Sequence, residues 1–121
     1  MADLFCSKTI GEILPSVRSL VANRLLEAGL TQKEVSSKLG ITQPAISQYK
    51  KGLRGSMVRD MAGSETMLKY IDTLVKQTIE GKIDLNTKIC EMCKVTRESG
   101  IIKLEEMDPF LCILEIAKKA I

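Results

Sequence analysis

The chain predicts an all-α fold on three observations. Apolar residues recur at spacings of three and four along most of its segments, the signature of helices with one inward face. Two Phe, two Tyr and no Trp in 121 residues leave the core to Leu, Ile, Val, Met and Ala, side chains that interlock well between helices. Several of these segments also open on a hydroxyl or carboxylate cap and close on glycine. The length suits one modest domain, or a small domain with a helical extension.

The first segment places Ile13, Val17, Leu20, Val21, Arg24, Leu25 and Ala28 at helical spacing. Pro15 falls in its first turn, where the missing amide costs little, and Gly29 closes it. Thr31 stands three residues before Glu34, the spacing of a capping box, so a second helix starts there and carries Val35 and Leu39 inward until Gly40. Thr42 is the next N-cap, with Pro44 in the first turn of a third helix that begins near Gln43. Ile46 and Tyr49 pack this helix inward, leaving Gln43, Pro44, Ser47, Gln48, Lys50 and Lys51 on or near the outside. Residues 31–52 thus read as two capped helices joined by a tight turn. The run GLRGSMVRDMAGS is rich in glycine and basic residues and is expected as a wing or linker, with a domain boundary near Gly63. Beyond it Met67, Leu68, Ile71, Leu74, Val75 and Ile79 form an apolar stripe closed by Gly81. That stripe seats either on the preceding domain or on a second copy, since periodicity does not name its partner. A last helix is expected to start at Asp108 and Pro109.

A short helix presented by its N-terminus fits the DNA major groove, where Gln43 and Gln48 have the amide chemistry to hydrogen-bond an adenine edge. Ser47 serves base or phosphate. Gln32 and Thr42, at the starts of the two helices, sit where backbone and side-chain donors meet phosphates. Lys50, Lys51, Arg54 and Arg59 extend the positive surface, and no acidic residue interrupts 42–59, a local excess that attracts a polyanion through counterion release. The formal charge of +3 hides an asymmetry: residues 1–63 carry nine basic and five acidic side chains, residues 64–121 nine and ten. At these residues the sequence is similar to the lambda and 434 repressor type of helix-turn-helix, the xenobiotic-response-element-like family. The resemblance implies that Gln43 and Gln48 read bases and that Gln32 contacts phosphate. Pro44 departs from the pattern by replacing a second polar reader, so no operator is carried over.

Four cysteines, Cys6, Cys90, Cys93 and Cys112, occur in a chain with no histidine. Four thiolates are a full tetrahedral set, and the three-residue spacing of Cys90 and Cys93 suits chelation of one zinc or one iron-sulfur cluster. Two other readings stand beside this: small buried hydrophobes, or a reversible redox pair of Cys90 and Cys93. Nearly the whole layout resembles predicted archaeal transcriptional regulators, which carry an early Cys, a proline-containing first helix (here EILPSVRSLVANRLLEAGLTQKEVSSKLGITQPAISQYKKGLRG) and a late CxxC with a further Cys. That resemblance favours an iron-sulfur cluster over zinc.

Catalysis finds no support: the chain has no histidine, no phosphate-binding glycine loop and no nucleophile beside an identifiable base. No apolar run approaches a membrane span, and MADLFCSKTI lacks the pattern of a signal peptide, which points to the cytosol. The expectation is therefore an all-α protein with a helix-turn-helix DNA-binding domain in residues 1–63. Residues 64–121 would form a helical extension for dimerisation and cysteine-based sensing. Double-stranded DNA and a second copy are the expected partners, because two-fold pairing doubles the site a short helix reads. The alternative is a helical protein-interaction module with structural zinc or buried cysteines.

Overall fold

A turn of π-helix, Thr9–Ile13, runs directly into α1, Leu14–Glu27. The computed structural model describes residues 9–52, 55, 57–81 and 83–101. After α1 come α2 (Gln32–Leu39), α3 (Gln43–Lys51), α4 (Val58–Ala62) and α5 (Glu65–Glu80). A 3-10 turn, Leu85–Lys88, then leads into α6 (Ile89–Ser99). Among the described residues there is no strand, as the all-α prediction requires. The expected helix at Asp108 and Pro109 lies outside them.

Pro15 sits in the first turn of α1, where no intrahelical donor is lost. The C-terminus closes by a paired exit in which Gly29 N–H donates to Leu26 O (3.1 Å) and Leu30 N–H to Leu25 O (3.2 Å). Gly29 takes a φ of +104° to make this possible, a conformation that glycine adopts without a Cβ penalty. Between its ends α1 is buried on most of its circumference: Val17, Val21, Ala22 and Leu25 are fully enclosed, and so are the small polar residues Ser16 and Ser19. Helices α2, α3, α4 and α5 all contact it.

The apolar stripe of α5 finds its partner within the same chain. Met67, Ile71 and Leu74 are fully buried against a core that also holds Val17, Val21, Val35 and Ile46. Full burial of each such side chain is worth about 1.5–3 kcal/mol, so this face has a strong reason to stay closed. Helix α6 adds Met92 and Cys93 to the same core. The boundary expected near Gly63 coincides with the break between α4 and α5, while the hydrophobic core continues across it. Ile79, 48% exposed near the end of α5, stands outside this contact.

The glycine-rich run after α3 is not uniformly a wing. Its second half forms α4, and Met57 and Met61, four apart, are buried in the core. Ser16 ties this segment to α1, because its Oγ donates to Glu12 O (2.8 Å) and accepts from Met57 N–H (3.1 Å). Gly55 passes directly over the same serine: a Cβ there would lie 2.6 Å from Ser16 Cα, and its φ is +118°.

Polar links join the helices around the core. Arg24 of α1 pairs with Asp72 of α5. Tyr70 of α5 donates its hydroxyl to Glu91 Oε2 of α6 at 2.9 Å, and Lys88 approaches the same carboxylate at 3.6 Å. The buried hydroxyls of Thr78 and Thr96 donate back to Leu74 O and Met92 O, so neither is left unsatisfied.

Two outcomes follow from these contacts. Gly55→Ala should lose at least about 2 kcal/mol of unfolding free energy, because its Cβ meets backbone at a positive φ; Gly52→Ala, where a Cβ meets nothing within 4 Å, should stay within about 0.5 kcal/mol. Urea titrations of both variants compare them directly. The second concerns Tyr70, whose phenol is raised above its ordinary 10.0 by burial, then by its hydrogen bond to Glu91 and the charge of that carboxylate. The folded chain holds this proton longer than the unfolded one, so the contribution is complete below pH about 10 and declines above it as the unfolded phenol ionises. Tyr70→Phe should remove that part of the alkaline decline in the urea midpoint.

Candidate nucleic-acid interface

Residues 31–52 form the two helices and the turn that their caps dictate. Thr31 Oγ1 accepts from Glu34 N–H at 3.1 Å, and Glu34 Oε1 accepts from Thr31 N–H at 3.4 Å. This reciprocal box starts α2 at Gln32 and gives acceptors to two backbone donors that a helix terminus otherwise leaves unpaired. Gly40, at φ +67°, ends α2 with its N–H on Ser36 O. Ser36 then contributes a lock that the sequence reading missed: its hydroxyl donates to Ile41 O across the turn. The available signal was a serine one helical turn before the closing glycine, placed to satisfy a carbonyl that leaves the helix. Thr42 caps α3, its hydroxyl accepting from Ala45 N–H at 3.4 Å.

With the turn held from both sides, the facing of α3 is determined by Ile46. That side chain is fully buried and Tyr49 half-buried, whereas Gln43, Pro44, Gln48, Lys50 and Lys51 are exposed and Ser47 is half-buried. Helical spacing arranges the outward residues in two adjacent rows, Gln43–Ser47–Lys50 and Pro44–Gln48–Lys51. Both rows begin with a groove-facing candidate and end in positive charge. Thr42 is exposed and Gln32 half-buried at the two helix starts, where N-terminal amides favour an anion. Arg59 is exposed on α4; Arg54 lies outside the described residues.

The charges on this face are available for a partner. Among the described residues the ion pairs are Arg24–Asp72, Lys69–Glu65 and Lys88–Glu91, all away from α3, so Lys50, Lys51 and Arg59 are not neutralised by a carboxylate. Arg24, by contrast, is committed to Asp72 and adds nothing to the face.

Of the four cysteines, two lie among the described residues. Cys90 and Cys93 both lie on α6, but Cys90 is exposed while Cys93 is 4% exposed within the core. Cys6 and Cys112 lie outside the described residues, and among those described no three His, Cys, Asp or Glu side chains converge to hold a metal ion. The described part of the chain therefore does not fit a cluster or a zinc ion by itself.

Residues 21–59 match a helix-turn-helix family model of the lambda and 434 repressor type. The matched span runs from the middle of α1 through α2 and α3 into α4 and so contains every described residue of the face above. It supports the class of DNA-binding transcription regulators for this segment. Neither the curated proteins nor the solved structures contain a match to the chain. Among the described residues no helix is long and apolar enough to cross a membrane.

Proposed function

We propose that this chain is a sequence-specific regulator of transcription that binds double-stranded DNA as a homodimer, with α3 lying in the major groove. The observation that carries the reading is the outward face of α3. Gln43 and Gln48 are exposed on a capped helix whose inner side is anchored by Ile46, and the face ends in unpaired Lys50 and Lys51. In this reading the glutamines hydrogen-bond base edges and Ser47 reaches base or phosphate. Gln32, Thr42, Lys50, Lys51 and Arg54 hold the phosphates and set register without reading sequence. Pro44 gives an apolar contact and no hydrogen bond.

The homodimer rests on DNA symmetry, because one short recognition helix reads few base pairs and a two-fold pair reads two half-sites. Ligation of an iron-sulfur cluster or zinc by Cys6, Cys90, Cys93 and Cys112, with thiol or cluster state modulating DNA affinity, is a proposal that rests on the sequence alone.

Three measurements decide among these readings. On a selected operator, Gln43→Ala and Gln48→Ala should each cost about 1–3 kcal/mol and relax preference at one base pair, whereas Lys50→Ala and Lys51→Ala should weaken all sequences alike and lower the salt slope by about one each. Footprints should show two half-sites about one helical turn apart. If none of these substitutions alters DNA affinity, the protein-interaction reading takes its place. For the cysteines, stoichiometric iron and sulfide, or zinc, in anaerobically purified protein, lost in Cys90→Ser, supports ligation; metal-free protein with no visible absorbance overturns it.

A further inference from the structure

Arg18 of α1 and the Asp84–Asn86 turn face the α2–α3 connection across a cleft of about 260 Å³. Its lining is mixed: Leu39, Ile41 and Leu85 contribute apolar atoms, and Arg18, Asp84, Asn86, Thr42 and Tyr49 polar ones. Arg18 Nη2 donates to Asn86 Oδ1 at 2.7 Å, while Asp84 Oδ1 accepts from Asn86 N–H at 2.9 Å. Among the described residues Arg18 and Asp84 make no salt bridge with each other or with another partner, so Asn86 holds two opposite charges that are not in direct contact.

We propose that this cleft is an effector site for a small zwitterion with an aliphatic tail, an amino acid of the size of valine, leucine or methionine. A carboxylate pairs with the remaining guanidinium N–H groups of Arg18, the strong charge-assisted geometry for that ion. An ammonium group pairs with Asp84, and the tail covers Leu39, Ile41 and Leu85. The cleft of about 260 Å³ is far larger than a single water needs and has space for a small organic molecule. A DNA phosphate fits the lining less well, because the Asp84 carboxylate opposes it. The regulatory half of the inference rests on the proposed DNA-binding function. Gly40, Ile41, Thr42 and Ala45 also line the cleft, so an occupant bears on the turn and first residues of α3. Occupancy then changes operator affinity by biasing that geometry.

The test begins without DNA. Valine, leucine and methionine are titrated into the full chain by calorimetry and amide-resolved NMR, with isocaproate (no ammonium) and isoamylamine (no carboxylate) as controls. At least one amino acid should bind saturably and shift the amides of Ile41, Ala45 and Asn86. Arg18→Gln and Asp84→Asn, each checked for an unchanged thermal transition, should weaken it about tenfold or more, and neither control should match it. No saturable binding up to about 10 mM, or binding that both substitutions leave unchanged, overturns the site. Loss of ligand-free DNA affinity in Arg18→Gln with a salt slope lowered by about one makes Arg18 a phosphate contact and also overturns it. Cleft binding by a protein that does not bind DNA upholds the site and overturns the regulator reading instead.

Discussion

Helix α1 is enclosed on nearly every side, and that enclosure sets where the other helices go. Leu14, Val17, Leu20, Val21 and Leu25 are buried along it together with the small residues Ser16, Ser19 and Ala22, and α2, α3, α4 and α5 all contact it. A helix buried on most of its circumference offers several faces to pack on, so α3 and α5 are positioned against the same spine. The outward aim of Gln43 and Gln48 is a consequence of this arrangement. Ile46 is drawn into the core that Val17 and Val21 share with Ile71, and the opposite face of α3 has to point away.

The polar contacts sit where helices from distant parts of the chain meet. Ser16 binds Met57 N–H, Arg24 pairs with Asp72, Tyr70 donates to Glu91 and Arg18 to Asn86. Exposed or half-exposed pairs of this kind add little energy each, and the apolar core supplies most of the stability. Their effect is on register. A one-turn slip of α5 along α1 would preserve apolar contact but separate Arg24 from Asp72. The helix-turn-helix and the described helices after it therefore share one hydrophobic core.

Charge follows the same division of labour. Basic residues near the core are tied to partners, whereas those at the end of α3 project without a carboxylate near them. A cation left unpaired on a surface costs little in water and retains its attraction for phosphate. The cysteines show the opposite tendency: Cys93 is used for packing, and only Cys90 of that helix stays at the surface.

Much of the helix-turn-helix was legible from sequence because its signals are local. Thr31 with Glu34, Gly40, Thr42 and Pro44 each act within one helical turn, so reading them in order placed α2 and α3 and separated Ile46 from the exposed glutamines. What lay beyond one turn was not legible. The stripe of α5 announced a buried face without its partner, and only the packed chain chose α1 over a second copy. Two methionines four apart were hidden in a glycine-rich run, and Gly55 gave no sign of the serine beneath it. The spacing of Cys90 and Cys93 suggested a common ligand, but their burial depends on which side of α6 meets the core. By itself the sequence determined the capped elements and their amphipathic faces, since those arise from hydrogen bonds and periodicity along the backbone. The tertiary structure alone decided which faces meet, how Arg18 and Asp84 come to share a cleft, and where α3 points, because these depend on contacts between residues far apart in the chain.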